Sequence, residues 1–455
     1  MTEQGISVVE RPVVLGVAMG LESMVRGLQF GTDEPPARVV RLLQELLGYT
    51  GTDGDGKVTE WESRATIRRV AILALSSLKN VEIETLIRAA KDADSGVRRI
   101  AMLAMGQQLE GDLQVIEGGL SDPSPMVRME AVKSYANRTR DMEGCQLLLS
   151  KVEDENLHVS LAALNLISGE CTGGDEFEAV LSSLISDPSA QEPHSWHRAA
   201  HALVALAEVS SERGDLLIED FVSHQSPFAR SYAARAAAIT GNLDVLLGLM
   251  EDTDSNVLVH AVQGLFAIEG DDIDSVLIAQ LGSIDPFLIL TVAQLLEGSP
   301  NSQEAIEPLV ESLKRMSKER KQTYRNPRMA LLERLGEFGG SRQVISLEPY
   351  LRDYDPVIAN RVSEILKGWT GTDWPVDPQI LDRLPMPSRI ELEQMENTVV
   401  TLHMERGGEI PVALIPDLAP THAYRFKNLA ENGQLNGLTF HRVVSNFVIQ
   451  GLSPG

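Results

Sequence analysis

Apolar residues recur at helical spacing through most of this 455-residue chain, and the pattern repeats about every 30 residues. Residues 67–75 and 97–105 read IRRVAILAL and VRRIAMLAM, almost the same nonamer 30 positions apart. The frame continues at positions that repeat its aspartate, valine, arginine or alanine: Asp122, Val127, Arg128, Ala131, Asp154, Val159, Ala163, Arg198, Ala229, Arg230, Ala233, Asp252, Val257 and Ala261, then weakly Asp285 and Asp353. Such a period is typical of a solenoid, in which each unit packs only on its neighbours.

Each repeat is predicted to be a pair of helices. An aspartate-containing turn caps the second helix, and the Val and Ala positions of that helix face the neighbouring repeat. Leucine-bearing partner helices alternate with these, as at 84–88 and 216–218. We interpret the Asp and Arg that recur from repeat to repeat as a cap and a tie between repeats, which gives them a structural role.

From position 397 the periodicity changes from helical to alternating. Residues 397–405 alternate as a strand does, 406–408 read Arg-Gly-Gly and predict a turn, and 409–415 supply a partner strand. Farther on, the β-branched pairs at 443–444 and 448–449 predict two more short strands with a bend between them. Taken alone, these residues favour an ordinary hairpin that carries a surface arginine.

The segment from Leu438 to Gly451 reads LTFHRVVSNFVIQG and closely resembles the signature of the cyclophilin-type peptidyl-prolyl cis-trans isomerases. That signature runs Phe-His-Arg-Val-Ile, two variable residues, then Phe-Met-Ile-Gln-Gly. Eight of its ten specified positions are identical here, and Val444 and Val448 are apolar replacements at the other two. The resemblance implies an isomerase segment at this end of the chain.

Two neighbouring stretches extend and limit this resemblance. Residues 419–426 resemble the family's Ala-Pro-x-Thr-x-x-Asn-Phe helix start, although His422 stands at the Thr position and Arg425 at the Asn position. After Gly451 the family continues Gly-Asp, whereas this chain continues Leu-Ser and stops at Gly455. We therefore expect the first half of an all-β barrel, in a fragment of a longer protein, with exposed strand edges and weak or no activity of its own.

A prolyl isomerase needs a well-aimed hydrogen-bond donor and no nucleophile. Amide resonance sets a rotation barrier of ~20 kcal/mol, and the prolyl nitrogen becomes basic only as the amide twists, so a bond donated there stabilises the transition state selectively. The resemblance implies that Arg442 donates this bond, that Phe447 forms the floor of the proline pocket and that Gln450 binds the substrate backbone. It implies substrate-binding positions at His441, Phe440 and Val448, with packing behind the arginine as an equal alternative for His441.

The helical array resembles the HEAT family of repeats, including the short variety found in phycobilin lyases, over about residues 60–370. The predicted fold class is therefore an all-α solenoid of HEAT-like repeats over 1–371, followed by the first half of an all-β cyclophilin-like barrel over 397–455. Four prolines in residues 372–396 predict a linker between them. Because one such scaffold serves many partners, the array indicates fold and not function.

The formal net charge of the chain is −25, and nearly all of it lies in the array. From Glu396 onward five acidic and four basic residues leave a net charge of −1, so the residues before it carry −24. Nucleic-acid binding requires clustered Lys and Arg, which argues against such a partner. The surface favours basic or neutral polypeptide partners instead.

Only two cysteines occur, Cys145 and Cys171, and we interpret them as separate small core residues without a disulfide framework. The sequence contains no run of 18 apolar residues, and its N-terminus lacks a signal-peptide pattern. We therefore expect a cytoplasmic protein with no membrane span. An extracytoplasmic location is the alternative, if a signal peptide is missing from a fragment.

One motif resembles a metal site. Residues 51–62 read GTDGDGKVTEWE and fit a calcium loop at its third, fifth, sixth, eighth and twelfth positions, but Gly51 stands where the first ligand belongs. The GYTGTD at 48–53 is echoed by GWTGTD at 368–373, where no calcium pattern follows. The segment is therefore interpreted as a helix-ending turn, with calcium binding at residues 51–62 as the alternative. No other metal and no cofactor is predicted.

These patterns predict a peptidyl-prolyl cis-trans isomerase that acts on X-Pro bonds of polypeptide clients, with the HEAT-like scaffold binding a protein partner. The alternative, from a different class, is a non-catalytic interaction scaffold whose cyclophilin-like module binds proline without turning it over.

Overall fold

The structure, a computed structural model, describes residues 11–28, 35–48, 64–78, 81–108, 112–139, 145–167, 171, 174–191, 195–380, 386–405, 407–438, 440–444 and 448–451. They divide into two compact units, residues 1–268 and 269–455, which are described separately. This division falls inside the predicted array. The domain bounds expected from the sequence, near 371 and 397, therefore stay a prediction.

The first unit is built from antiparallel helix pairs. Its helices are α1 (Arg11–Leu28), α2 (Ala37–Leu47), α3 (Arg64–Ser76), α4 (Ile83–Ala89), α5 (Ser95–Gln107), α6 (Leu113–Gly119), α7 (Pro125–Thr139), α8 (Gln146–Leu149), α9 (Leu157–Leu164), α10 (Asp175–Ile185), α11 (His197–Val209), α12 (Ser211–Val222), α13 (Pro227–Thr240), α14 (Leu243–Leu249) and α15 (Ser255–Glu269). From α1 to α13 each odd-numbered helix packs on the next odd-numbered one. This serial packing confirms the predicted helical solenoid.

The two nonamers lie in α3 and α5, and their apolar positions form the core. Ile67 and Ala71 of α3 and Val97 and Ala101 of α5 are each inaccessible to solvent. The helices approach closely: a Cβ added at Gly106 would lie 2.5 Å from the Ser134 hydroxyl of α7. The repeat therefore persists because apolar and small residues recur at the positions that touch the next repeat.

Recurring aspartates and arginines tie the repeats together as the sequence predicts. The carboxylate of Asp122 accepts the backbone N–H of Ser124 at 2.8 Å, which closes the turn before α7. It also accepts a hydrogen bond at 2.7 Å from Nε of Arg98, which belongs to the preceding repeat. The same arrangement recurs in the pairs Arg68–Asp92, Arg128–Asp154 and Arg230–Asp252. The Arg230 guanidinium holds the pKa of Asp252 below its usual value, although burial acts in the opposite direction.

The two cysteines form a disulfide, so the prediction of two separate core residues is wrong. Cys145 directly precedes α8 and Cys171 follows α9, and their Cα atoms lie 5.2 Å apart although 26 positions separate them in sequence. Because α8 and α9 pack against each other, the chain returns after α9 to the point where α8 begins. That return depends on tertiary packing, which the spacing of two cysteines does not encode.

The second unit continues with helix pairs. Its helices before residue 380 are α16 (Asp274–Gln280), α17 (Pro286–Leu295), α18 (Ser302–Lys318), α19 (Arg325–Phe338), α20 (Val344–Leu347) and α21 (Pro356–Thr370). Short 3-10 helices lie in this unit at Gly270–Ile273, Gln322–Tyr324, Ser341–Gln343 and Glu348–Arg352, and in the first unit at Pro188–Gln191. Helices α17, α19 and α21 pack in series, so the solenoid pattern holds here too. The buried Arg328 pairs with Asp353, and this ion pair repeats the tie seen in the first unit.

The GWTGTD motif ends a helix, as predicted. Gly371 follows α21 with φ of +72°, and its N–H binds the carbonyl oxygen of Lys367 at 2.8 Å. Glycine adopts this left-handed conformation without the steric cost that a Cβ brings. Residues 51–62, with the candidate calcium loop, lie outside the described residues.

The remaining elements are α22 (Arg389–Glu393), β1 (Val399–His403), β2 (Glu409–Ala413), α23 (Pro420–Glu431), β3 (Phe440–Val444) and β4 (Val448–Gly451). The strands form two antiparallel pairs, β1 with β2 and β3 with β4. A helical solenoid followed by short antiparallel β pairs agrees with the predicted fold class. Among the described helices, none is long and apolar enough to cross a membrane.

Candidate functional site

The β1–β2 hairpin has the predicted strands and turn. Val399 lies opposite Ala413, and the register continues without a shift to His403 opposite Glu409. Gly407 and Gly408 both have positive φ, of +86° and +94°. Because glycine tolerates these angles, the Gly-Gly pair lets the chain reverse within a short turn.

Helix α23 starts and stops where the sequence predicts. Pro420 occupies its first position, where the missing N–H costs no hydrogen bond. Gly433, with φ of +67°, follows its end, and the N–H of Gln434 returns to the carbonyl oxygen of Leu429 at 2.9 Å. These two residues set the ends of the helix, which lies between the two β pairs in sequence.

A short helix inside the predicted linker is joined to α23. The Tyr424 hydroxyl donates to Oε1 of Glu391 in α22 at 2.7 Å. Ser388 caps α22, and the hydrogen bonds from Ser388 and Tyr424 lower the pKa of Glu391 to about 2. Met395, just beyond α22, is buried. The end of the predicted linker is therefore ordered against the segment that follows it.

The β3–β4 pair carries the residues to which the sequence assigns chemistry. Arg442 and Gln450 are partners in the ladder, followed by Val443 with Ile449 and Val444 with Val448. The register shifts between Phe440 and Arg442, so that His441 is the extra residue of a β-bulge. Bulges increase the local twist of a strand and frequently lie beside active sites.

The six predicted site residues differ in how far the structure describes them. The backbones of Phe440, His441, Arg442, Val448 and Gln450 lie in β3 and β4. Gln450 is exposed, and Phe440 is half-buried. Phe447 lies outside the described residues. The backbone thus brings Arg442 and Gln450 together, and the roles assigned to all six residues stay predictions.

A cavity of about 790 Å³ adjoins the start of β3. Its wall includes Val400 and Leu402 of β1, Leu435 after α23, and Phe440 of β3. Val400, Leu402 and Leu435 were not predicted from the sequence as site residues. The alternation of β1 carried the signal, because residues 400 and 402 share one face of the strand and are half-buried. Thr401, His403, Glu405 and Asn436 also line it, so the pocket offers an apolar patch flanked by polar groups, and the patch is suited to an apolar ring.

Comparison with known proteins identifies the family that this segment resembles. Residues 399–454 match the family described as "Cyclophilin type peptidyl-prolyl cis-trans isomerase/CLD". A putative peptidyl-prolyl cis-trans isomerase of Staphylococcus saprophyticus is 45% identical over 58 residues, which cover 13% of this chain and 29% of that protein. One from Staphylococcus aureus (strain USA300) is 41% identical over 64 residues, covering 14% of this chain and 32% of the relative. The chain thus spans about a third of the length of the curated relatives it matches.

Similar solved structures match this chain only loosely. The crystal structure of Kap121p bound to RanGTP has a TM-score of 0.35 and 13% identity, covering 78% of this chain and 49% of that chain. The crystal structure of an engineered protein, target OR497, has a TM-score of 0.32 and 18% identity, covering 78% and 99%. Scores this low support no inference about what the chain does.

Proposed function

Because residues 399–454 form a cyclophilin-type segment, we propose that the protein is a peptidyl-prolyl cis-trans isomerase acting on X-Pro bonds of polypeptides. The observation that carries the proposal is the ladder position of Arg442 directly opposite Gln450, at the spacing of the family signature. The catalytic donor and the residue that holds the substrate backbone are then neighbours. Phe447 supplies the aromatic floor of the proline pocket.

The chemistry requires no covalent intermediate. As the X-Pro amide twists, its nitrogen loses conjugation with the carbonyl and becomes a hydrogen-bond acceptor. A guanidinium is permanently charged and planar, so Arg442 donates to that nitrogen in the transition state more strongly than in the ground state. Gln450 holds the substrate backbone during rotation, and the pocket wall around Phe440 buries apolar substrate surface.

The solenoid serves, in this proposal, as the surface that holds the polypeptide client. Its helix pairs present repeated exposed positions over a long array, which is the geometry that repeat proteins use for extended partners. The rival proposal is a non-catalytic scaffold whose module binds proline without turning it over. It differs in one measurable respect, namely the rate of isomerisation.

The deciding experiment measures cis-trans exchange of a short X-Pro peptide by exchange NMR, with the natural full-length protein. Acceleration that is lost in an Arg442→Ala variant supports the enzyme. Phe447→Ala should weaken peptide binding as well, since burying the proline ring contributes on the order of a few kcal/mol. Peptide binding without acceleration would reject the enzyme and support the scaffold proposal. A protein that neither binds nor isomerises the peptide would contradict both proposals.

The disulfide bears on where the protein works. Disulfides persist in oxidising compartments and are rare in reducing cytosol. The Cys145–Cys171 bridge therefore favours the extracytoplasmic alternative over the cytoplasmic location expected from the sequence. Thiol titration of denatured protein isolated from its own cells tests this proposal: two free thiols per chain would contradict it.

A further inference from the structure

Aromatic and basic side chains from two adjacent helices of the first unit form a surface cluster, which we call the aromatic platform. Its members are Trp196, His197, His201, Phe228, Tyr232 and Arg235. His197 and His201 are four residues apart on α11, and Phe228, Tyr232 and Arg235 follow a four-then-three spacing on α13. Each set therefore lies on one face of its helix. Because α11 packs on α13, the two faces adjoin.

The rings are arranged around Trp196. Its indole stacks on His197 with centroids 4.0 Å apart, and Phe228 lies nearly parallel to it at 6.4 Å. Tyr232 is tilted by 55° at 6.0 Å. Trp196 is only 7% exposed, whereas Phe228 is 53% exposed. A buried ring thus supports an exposed one, and large aromatic residues of this kind contribute most of the energy at protein interfaces.

Hydrogen bonds fix the platform in place. His201 Nδ1 lies 2.6 Å from Oδ1 of Asn165, at the end of α9, and its Nε2 lies 2.6 Å from the Tyr232 hydroxyl. Burial, with the charges of Arg235 and His197, lowers the pKa of His201 to about 3, so the ring is neutral at neutral pH. Nδ1–H then donates to Asn165, and Tyr232 donates to Nε2. Because residues of three consecutive repeats already hold the rings in place, ligand binding costs little further conformational entropy.

The charge of the platform differs from that of the chain. Arg235 lies over the ring of Tyr232, 4.6 Å from its centroid. The charged groups that act on His201 are Arg235 and His197, and no described carboxylate is among them. Arg98, Arg128 and Arg230, in contrast, each pair with an aspartate. In a chain of net charge −25, a half-buried guanidinium without a described carboxylate partner complements an acidic group on a ligand.

We propose that the aromatic platform binds an extended, proline-containing segment of a polypeptide client that carries an acidic residue beside the proline. Aromatic faces pack well against proline rings, as they do where proline-rich segments bind other proteins. Arg235 meets the acidic side chain. The choice of proline rests on the proposed function, whereas the acidic residue rests on the charge of the cluster alone.

The test uses the whole chain and a fluorescein-labelled peptide that repeats Pro-Pro-Glu over about twelve residues, long enough to span the platform in an extended conformation. Its anisotropy should rise and saturate. Phe228→Ala, at an exposed position that leaves the fold intact, should weaken binding about tenfold or more. Arg235→Gln should weaken binding of this peptide but have little effect on a Pro-Pro-Gln version.

The chain supplies a matched control. Phe287 follows Pro286 at the start of α17, as Phe228 follows Pro227 at the start of α13, and it is 57% exposed. Phe287→Ala should therefore leave binding unchanged. Equal losses in the two variants, no binding at all, or equal binding of an Ala-Ala-Glu repeat would each overturn the proposal.

This experiment is separable from the test of isomerase activity. Phe228→Ala should leave the isomerisation of a short X-Pro tetrapeptide unchanged, because so short a substrate needs only the β3–β4 site. Binding at the platform, with no isomerisation by the natural full-length protein, would reject the enzyme and keep the platform. Isomerisation without any binding of the Pro-Pro-Glu peptide would reject the platform alone.

Discussion

Arg98 joins two inter-helix turns, the one before α5 and the one before α7. Its guanidinium donates to the carboxylate of Asp122 at 2.7 and 2.8 Å and to the backbone carbonyl oxygen of Asp92 at 2.9 Å. Asp122 belongs to the next turn and Asp92 to the preceding one. Arg128 makes the same contacts one repeat later, with Asp154 and with the carbonyl oxygen of Asp122. The ties therefore run from repeat to repeat through alternating side-chain and backbone acceptors.

Removing Asp122 should destabilise this unit strongly. The Arg98 and Asp122 side chains are 16% and 11% exposed, so Asp122→Ala leaves a largely buried charge unpaired and should cost roughly 2–4 kcal/mol of unfolding free energy. Denaturant unfolding measures the loss. Glu311→Ala is the control, because its pair with Lys314 is exposed and should contribute less than about 0.5 kcal/mol. Similar losses in the two variants would show that the tie adds no stability.

Replacing Arg442 by lysine should lower turnover much more than affinity. Lysine keeps the charge but lacks the planar, fixed donor geometry that the twisted amide requires. We expect kcat to fall on the order of a hundredfold with KM little changed, measured on the natural full-length protein with an X-Pro peptide. Arg425→Lys, at an exposed position of α23, is the matched control. Unchanged turnover in Arg442→Lys would remove this arginine from the mechanism.

Reducing the disulfide should weaken the first unit. A crosslink between residues 26 positions apart restricts the unfolded chain and contributes about 3 kcal/mol. Addition of a phosphine reductant should therefore lower the melting temperature and increase amide exchange in α8 and α9. A Cys145→Ala, Cys171→Ala double variant should show no response to reductant. If reductant also leaves the melting temperature and amide exchange of the natural chain unchanged, the bridge does not form in solution.

Mild acid should destabilise the chain through His201. Its folded pKa of about 3 lies below the value near 6.5 expected when unfolded, so between these values the unfolded state binds more protons. Stability is therefore fully present above about pH 6.5 and falls as the pH drops towards 3, by up to about 2 kcal/mol at pH 5. His201→Gln should reduce this slope, measured by denaturant unfolding at pH 7 and 5. His260, whose pKa burial also lowers, accounts for part of what remains.

The aspartates whose pKa values are lowered affect the stability of the chain in a separate, lower pH range. For Asp94, the hydrogen bond from Arg69 is the main cause. Such carboxylates stay ionised at pH 5 and lose their contribution only as the pH falls below about 4. A stability loss confined to that lower range, with none between pH 6.5 and 5, would contradict the role given to His201.

The sequence predicts the helix pairs and their ties because these depend on contacts that recur with the repeat. Val97 and Asp122 stand at the same places in their repeats as Val127 and Asp154, so one pattern reveals all of them. The β1–β2 hairpin is equally local, since Gly407 and Gly408 set its turn. In the candidate site, the β-branched pairs at 443–444 and 448–449 predicted the two strands that carry Arg442 and Gln450, and the family signature predicted a role for each residue.

Features that depend on nonlocal packing were missed. The Cys145–Cys171 bridge forms because α9 returns the chain to the start of α8. Trp196 and Phe228 meet only because α11 packs on α13, and as isolated aromatic residues they carry no signal in the sequence. The bulge at His441 is a property of register, which depends on pairing between strands and not on one strand alone.

The ties through Arg98 also bear on how such an array changes in length. Arg98 and Arg128 each bind the carbonyl group of the turn before their helix and the aspartate of the turn after it. Excision of residues 93–122 would join Asp92 to Pro123, keep Arg68 paired with Asp92, and bring Arg128 to the place that Arg98 vacates. Repeats that carry this tie can therefore replace one another. Gene duplication or deletion in steps of one such repeat would lengthen or shorten the array without a new set of ties having to evolve.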